Sequence, residues 1–260
     1  MSITIVDDLK TLEQAEQILN TITPEQSIHE VKYVTLRDGR KLAYSEFGAT
    51  NGKPVLYCHG NPGSRLDLGL FGEEVMQQYG LRMIAPDRPG IGQSDFLRGR
   101  RIVDWPADAA ELADSLRISQ FSVLGLSCGG PFAAVTAYAL PKRVTKLVLV
   151  SSLGLGKEIA FWIRYTAHKS LCRYLGKTAL NLLEAMKWLF KHLFLPFNLT
   201  LPFSETSLSL GSDMTNFRAQ KTVFFDRLAE LSMPTLLVWG SRDPVVPFQQ
   251  AYAAGCVRLW

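Results

Sequence analysis

Ser127 sits between closely spaced glycines in Gly125-Leu126-Ser127-Cys128-Gly129-Gly130, after the apolar run FSVLGL (121–126) and before the helical stretch PFAAVTAYAL (131–140). A strand that bends abruptly into a helix strains the residue at the bend and lifts it above the sheet, so its second neighbours must be small. Gly125 and Gly129 meet that demand, and the chemistry they imply is nucleophilic attack by the Ser127 hydroxyl. Taken alone, the pentapeptide also admits a glycine-rich turn that arose by chance.

A second group narrows the choice. His59-Gly60-Asn61-Pro62-Gly63-Ser64 follows the apolar run PVLYC (54–58). Acyl transfer develops a negative oxygen that two fixed donors must meet, usually the amide after the nucleophile and one from a loop such as this. Those donors are expected to be the main-chain N–H groups of Cys128 and Asn61. The Cys128 thiol is then simply a small buried side chain. His59 is read as a structural hydrogen-bonding residue at a strand end rather than as the base that activates Ser127.

These residues need a scaffold. Short apolar runs at 54–58, 82–86, 121–126 and 146–151 alternate with helical stretches near 67–80, 105–117 and 130–140. That alternation predicts an α/β fold, a mostly parallel sheet with helices on its faces. An antiparallel hairpin, VKYVTL and KLAYSEF around Arg37-Asp38-Gly39, leads into it. Leu9, Leu12, Ile18 and Leu19 predict a helix over 7–22, within an N-terminal helical arm at 1–30. The core is expected over 31–155 and 232–260, where MPTLLVWG (233–240) resumes the strand pattern, and a helical cap over 156–231.

Together HGNPGS, APDRPGIGQSD (85–95), GLSCGG and LLVWGSRDPVVP (236–247) resemble the α/β-hydrolase superfamily, near its proline-iminopeptidase-like and epoxide-hydrolase-like branch. The resemblance implies the α/β-hydrolase fold, structural roles for Asp87, Arg88 and Ser94, and Asp243 as the acid that orients a catalytic histidine. A turn aspartate before Pro244 is the plainer alternative for Asp243. HGNP also resembles haloalkane dehalogenases, but those carry an aspartate where this chain has Ser127.

In the family order Ser, Asp, His, the histidine lies a helix and a strand beyond the acid, about 25–30 residues at average element lengths. Only 17 residues follow Asp243, and all four histidines (His29, His59, His168, His192) precede it. No catalytic histidine is therefore assigned. The expectation is a truncated or frame-shifted reading with the last strand and helix missing or incomplete. Activity is expected to be much reduced, since losing a triad base costs roughly a millionfold in a comparable hydrolase. LLVWG is expected to form a bare sheet edge open to self-association.

Between Lys157 and Leu195, seven Lys or Arg face two Glu, interleaved with Phe161, Trp162, Tyr165, Met186, Trp188 and Phe190. This suits a lid over a small, largely apolar substrate; contact with a membrane surface is the less favoured reading of the same basic, amphipathic stretch. The remaining charge is near balance and forms no basic stripe, so no nucleic-acid partner is expected. Four cysteines without CxxC or metal-ligand spacing, and a start carrying Asp7 and Asp8, point to reduced thiols in the cytoplasm, with no metal and no cofactor. The competing function is a non-catalytic hydrolase-fold protein that binds a small ligand.

Overall fold

The computed structural model describes residues 2–5, 30–61, 63–153 and 231–239. All lie in one of the two units into which the chain divides, that of 1–156 with 203–260. The helix expected over 7–22 and, but for Leu231, the cap expected over 156–231 lie outside the described residues.

Eight strands form one sheet: β1 (Ser2–Ile5), β2 (Lys32–Thr35), β3 (Lys41–Gly48), β4 (Lys53–Cys58), β5 (Leu81–Pro86), β6 (Phe121–Leu126), β7 (Val144–Val150) and β8 (Thr235–Trp239). Their spatial order is β1-β8-β7-β6-β4-β5-β3-β2. The hairpin β2-β3 is antiparallel and β3 lies antiparallel to β5; every other pairing is parallel. Strand β3, although antiparallel to both neighbours, packs Leu42 and Tyr44 into one apolar cluster and Phe47 into another, and so is buried along most of its length rather than at alternate residues.

Helix α1 (Glu73–Gln78), helix α2 (Trp105–Ser115) and helix α3 (Gly130–Ala139) belong to this unit. The single helix expected near 67–80 is instead a 3₁₀ turn, Arg65–Phe71, followed by α1. Gly72 separates them at φ 77°, a left-handed conformation that glycine adopts without strain and that interrupts the helix. Helix α3 buries Phe132, Ala133, Ala134, Val135 and Ala137, and Thr136 returns its hydroxyl to the Phe132 carbonyl at 2.7 Å. Small residues let this helix pack closely; its contacts with β6 and β7 place its N-terminus directly behind Ser127.

Two expectations need correction. LLVW is not a sheet edge: β8 is paired with β7 on one side and with β1 on the other, Ser2–Ile5 standing in register with Leu236–Trp239. The position beyond β8 is thus filled from the start of the chain, and the apolar β8 does not present unpaired backbone groups. For the same reason Ser2–Ile5 is a strand and not part of a helical arm.

Candidate active site

Strand β4 has β5 on one side and β6 on the other. The chain therefore reverses its direction of travel across the sheet between β4 and β6, and crevices at such reversals, outside the carboxyl ends of the strands, are where open α/β sheets bind ligands. Register brings Cys58 at the end of β4 opposite Gly125 near the end of β6. The loop beginning at His59 and the turn at Ser127 consequently emerge side by side.

Ser127 has φ 51°, a left-handed backbone for a residue with a side chain, and it is partly exposed. Its neighbours explain how the bend is held. A Cβ on Gly125 stands 2.7 Å from both Ala133 Cβ and Gly130 Cα, and one on Gly129 overlaps the Cys58 carbonyl oxygen. The Ser127 carbonyl accepts from Leu153 N–H at 3.0 Å, which ties the bend to the end of β7. Strain of this kind costs about 1–3 kcal/mol and persists only where the surroundings over-determine it.

The backbone of Gly60 lies against this turn; a Cβ there stands 3.6 Å from Ser127 Cβ and 3.6 Å from the Leu126 carbonyl oxygen. Arg88 fixes the loop from beneath. It is fully buried, its guanidinium lies 4.5 Å from the centre of the Phe132 ring, and it donates to the carbonyls of His59 and Gly60. A trans peptide directs N–H opposite to C=O, so with the Gly60 carbonyl turned to Arg88, the Asn61 N–H faces away from that buried cation. The Asn61 carboxamide oxygen is buried without a hydrogen-bond partner.

His59 is fully buried, its Nδ1 2.9 Å from the Gly60 carbonyl and its Nε2 accepting from Arg88 N–H at 3.3 Å. With one nitrogen donating and the other accepting, the ring is neutral, and burial first, then Arg88, hold it well below the usual histidine range. A ring so engaged has no nitrogen left for Ser127. Below a pH of about 6.5 the unfolded chain takes up a proton at this histidine that the folded protein refuses. Stability is therefore full above that pH and falls as pH drops, by up to about 1.4 kcal/mol per pH unit from this group. Urea denaturation at pH 7.5 and 5.5 should show a smaller loss in His59→Asn than in wild type; equal losses would exclude the buried neutral ring as their source.

Asp87 is fully buried and accepts from the Arg65 N–H at 2.8 Å, Arg65 Nη1 at 2.6 Å and the Gln93 N–H at 3.0 Å. Ser94 bridges the Asp87 carbonyl, 2.8 Å, and the Ala43 amide, 2.9 Å. These contacts hold the loops after β4 and β5 together, a structural part for Asp87, Arg88 and Ser94. Cys58 is a buried thiol pushed up to about 12 by burial, whereas Cys128, expected to be buried, is partly exposed. Among the described residues, no group of three or more His, Cys, Asp or Glu side chains converges as metal ligands, and no helix is long and apolar enough to cross a membrane.

Ser127, Cys128, Gly125 and Gly129 at the turn after β6 and Asn61 in the loop after β4 thus emerge at the carboxyl ends of adjacent strands. Asp243 lies outside the described residues, as do His29, His168 and His192. Sequence reasoning missed Asp67, whose carboxylate lies under the His59 loop. Its signal was the S-x-x-D spacing of Ser64 and Asp67, a capping box that the structure forms at the 3₁₀ turn.

The model of the alpha/beta hydrolase fold family matches residues 53–255. The chain is 29% identical over 222 residues to the dihydrolipoyllysine-residue acetyltransferase component of the acetoin cleaving system of Cupriavidus necator, covering 84% of this chain and 59% of that protein. It is 31% identical over 134 residues to the proline iminopeptidase of Xylella fastidiosa, covering 50% and 42%. The chain thus spans about half the length of these curated relatives. A thermophilic esterase from Thermogutta terrifontis superposes with a TM-score of 0.59 at 23% identity over 86% of this chain and 85% of that one, a likeness of fold. Strand order, the bend at Ser127 and the family match agree: this chain belongs to the α/β-hydrolase fold family.

Proposed function

We propose that this protein is a serine hydrolase acting on an ester, amide or similar carbonyl bond of a small, largely apolar substrate. Ser127 Oγ attacks the carbonyl carbon, the Asn61 and Cys128 amides receive the oxyanion, and Asp243 is the acid that would orient a histidine base; no histidine follows it in the sequence, so turnover is much reduced. The acyl group passes to Ser127 with loss of the leaving alcohol or amine, and water then releases it as the acid.

The observation that carries this reading is Ser127 itself, partly exposed at φ 51° against the Gly60 backbone. A structural serine has no need of a strained bend at the reversal point of the sheet. The name of one curated relative, a proline iminopeptidase, supports a hydrolase reading, while that of another, an acetyltransferase component, points to acyl transfer. His59 is excluded as the base by its two engaged ring nitrogens, and it is the only histidine among the described residues.

A fluorophosphonate, which labels only activated serines, tests the reading. Wild type is expected to be labelled at Ser127 and Ser127→Ala to remain unlabelled. A folded wild type that stays unlabelled would turn the assignment toward a ligand-binding member of the family.

A further inference from the structure

The loop after β4 is gathered around one carboxylate. Asp67 Oδ1 accepts the Ser64 N–H at 3.0 Å, Tyr57 directs its buried hydroxyl at Oδ2 from 3.4 Å, and the Gly60 amide also favours the charged form. Gly63 is part of the same packing, since a Cβ there stands 3.0 Å from the carboxylate carbon. Arg88, which holds the carbonyls of His59 and Gly60, contributes a favourable charge from the far side of the loop.

Capping alone accounts for part of this arrangement. Ser64 accepts the Leu66 N–H at 3.2 Å and exchanges bonds with Asp67, as a capping box does. It does not account for the hydroxyl arriving from β4 or for the packing of Gly63 on the carboxylate. Burial raises the Asp67 carboxyl above its usual range, and amides, hydroxyl and Arg88 pull it back. A half-buried carboxylate that takes donors from the turn and from β4 fixes the positions of those donors.

We propose that Asp67 is a positioning residue for the oxyanion-binding loop, its carboxylate fixing Gly63 and Ser64 against Tyr57 of β4 so that the Asn61 N–H just before them stays aimed beside Ser127. The inference rests on the reading of Ser127 and Asn61 given above. It assigns Asp67 no contact with substrate. Its effect reaches the reaction through the direction of one amide.

The test compares wild type, Asp67→Asn, Tyr57→Phe and Ser127→Ala by fluorophosphonate inactivation, separating the limiting rate from the half-saturating concentration, and by ¹H–¹⁵N spectra. Asp67→Asn should lower the limiting rate by about 10- to 100-fold with half-saturation unchanged, the range expected when an aligned group is misplaced. Tyr57→Phe leaves the cap intact and should give a smaller fall, about threefold, for one weak hydrogen bond. The Ser64 amide signal should move upfield, and that of Gly63 should shift, in Asp67→Asn while those of β6 stay in place. A labelled wild type with an equal limiting rate in Asp67→Asn, or with half-saturation rising alone, overturns this inference and leaves Ser127 in its role. An unlabelled wild type overturns the role of Ser127. The Gly63 and Ser64 signals then decide for Asp67: displaced signals support the anchoring, and unmoved ones overturn it.

Discussion

Alanine at Gly129 is expected to destabilise the protein by about 3 kcal/mol, the upper range for overpacking, because its methyl group has no flexible neighbour to displace. The added carbon overlaps the Cys58 carbonyl oxygen and stands 2.6 Å from the His59 carbonyl oxygen. Neither can yield: Cys58 is in register with Gly125 in the sheet, and the His59 carbonyl is held by Arg88. Gly129 has φ −76°, so the substitution carries no backbone strain, and the cost is steric alone. Gly69→Ala is the control. A Cβ there meets only Phe47 Cε1 at 3.8 Å and should change stability by no more than about 0.5 kcal/mol, as surface substitutions do. Urea denaturation of the two variants measures the difference. Where Gly129→Ala still folds, Ser127 should react with fluorophosphonate about 100-fold more slowly, since the bend can accommodate the methyl only by moving the nucleophile. A Gly129→Ala protein as stable and as reactive as wild type would mean that the bend is looser than its contacts indicate.

Legibility in the sequence follows the range over which each interaction acts. The bend at Ser127 is local: the requirement for Gly125 and Gly129 comes from residues within eight positions in chain or from the strand beside them, and the motif encodes it. The strands are apolar runs with clear ends, so β4, β5, β6 and β7 lie within two residues of their expected bounds. What escaped is non-local. Nothing in Ser2–Ile5 announces that it pairs with Leu236–Trp239, more than 230 residues away in sequence, because a short edge strand carries no pattern that names its partner. Arg88 was legible as structural, but its task of turning the Gly60 carbonyl inward is visible only once β4 and β5 lie side by side. Gly72 shows the opposite failure, a local signal overlooked because the apolar spacing around it continued a helical period.

Asp87→Ala is expected to cost about 3–5 kcal/mol, the penalty for leaving a buried charge without its partner. Arg65 is nearly as buried as Asp87, and the pair meets at 2.6 Å with little access to water. The carboxylate also takes the Arg65 and Gln93 amides, so its removal leaves the buried Arg65 amide and the part-buried Gln93 amide without their acceptor beside the cation. Gly92 is packed against the same carboxylate, with φ 55°, so the loop after β5 loses the group around which it folds. The comparison that isolates the charge is a double-mutant cycle. Arg65→Met with Asp87→Ala should be less destabilising than the sum of the two single substitutions by at least about 2 kcal/mol, because removing both partners removes the uncompensated cation as well. Additive losses in the cycle would show that Asp87 acts through its amide bonds and the loop packing, with the ion pair contributing little to stability.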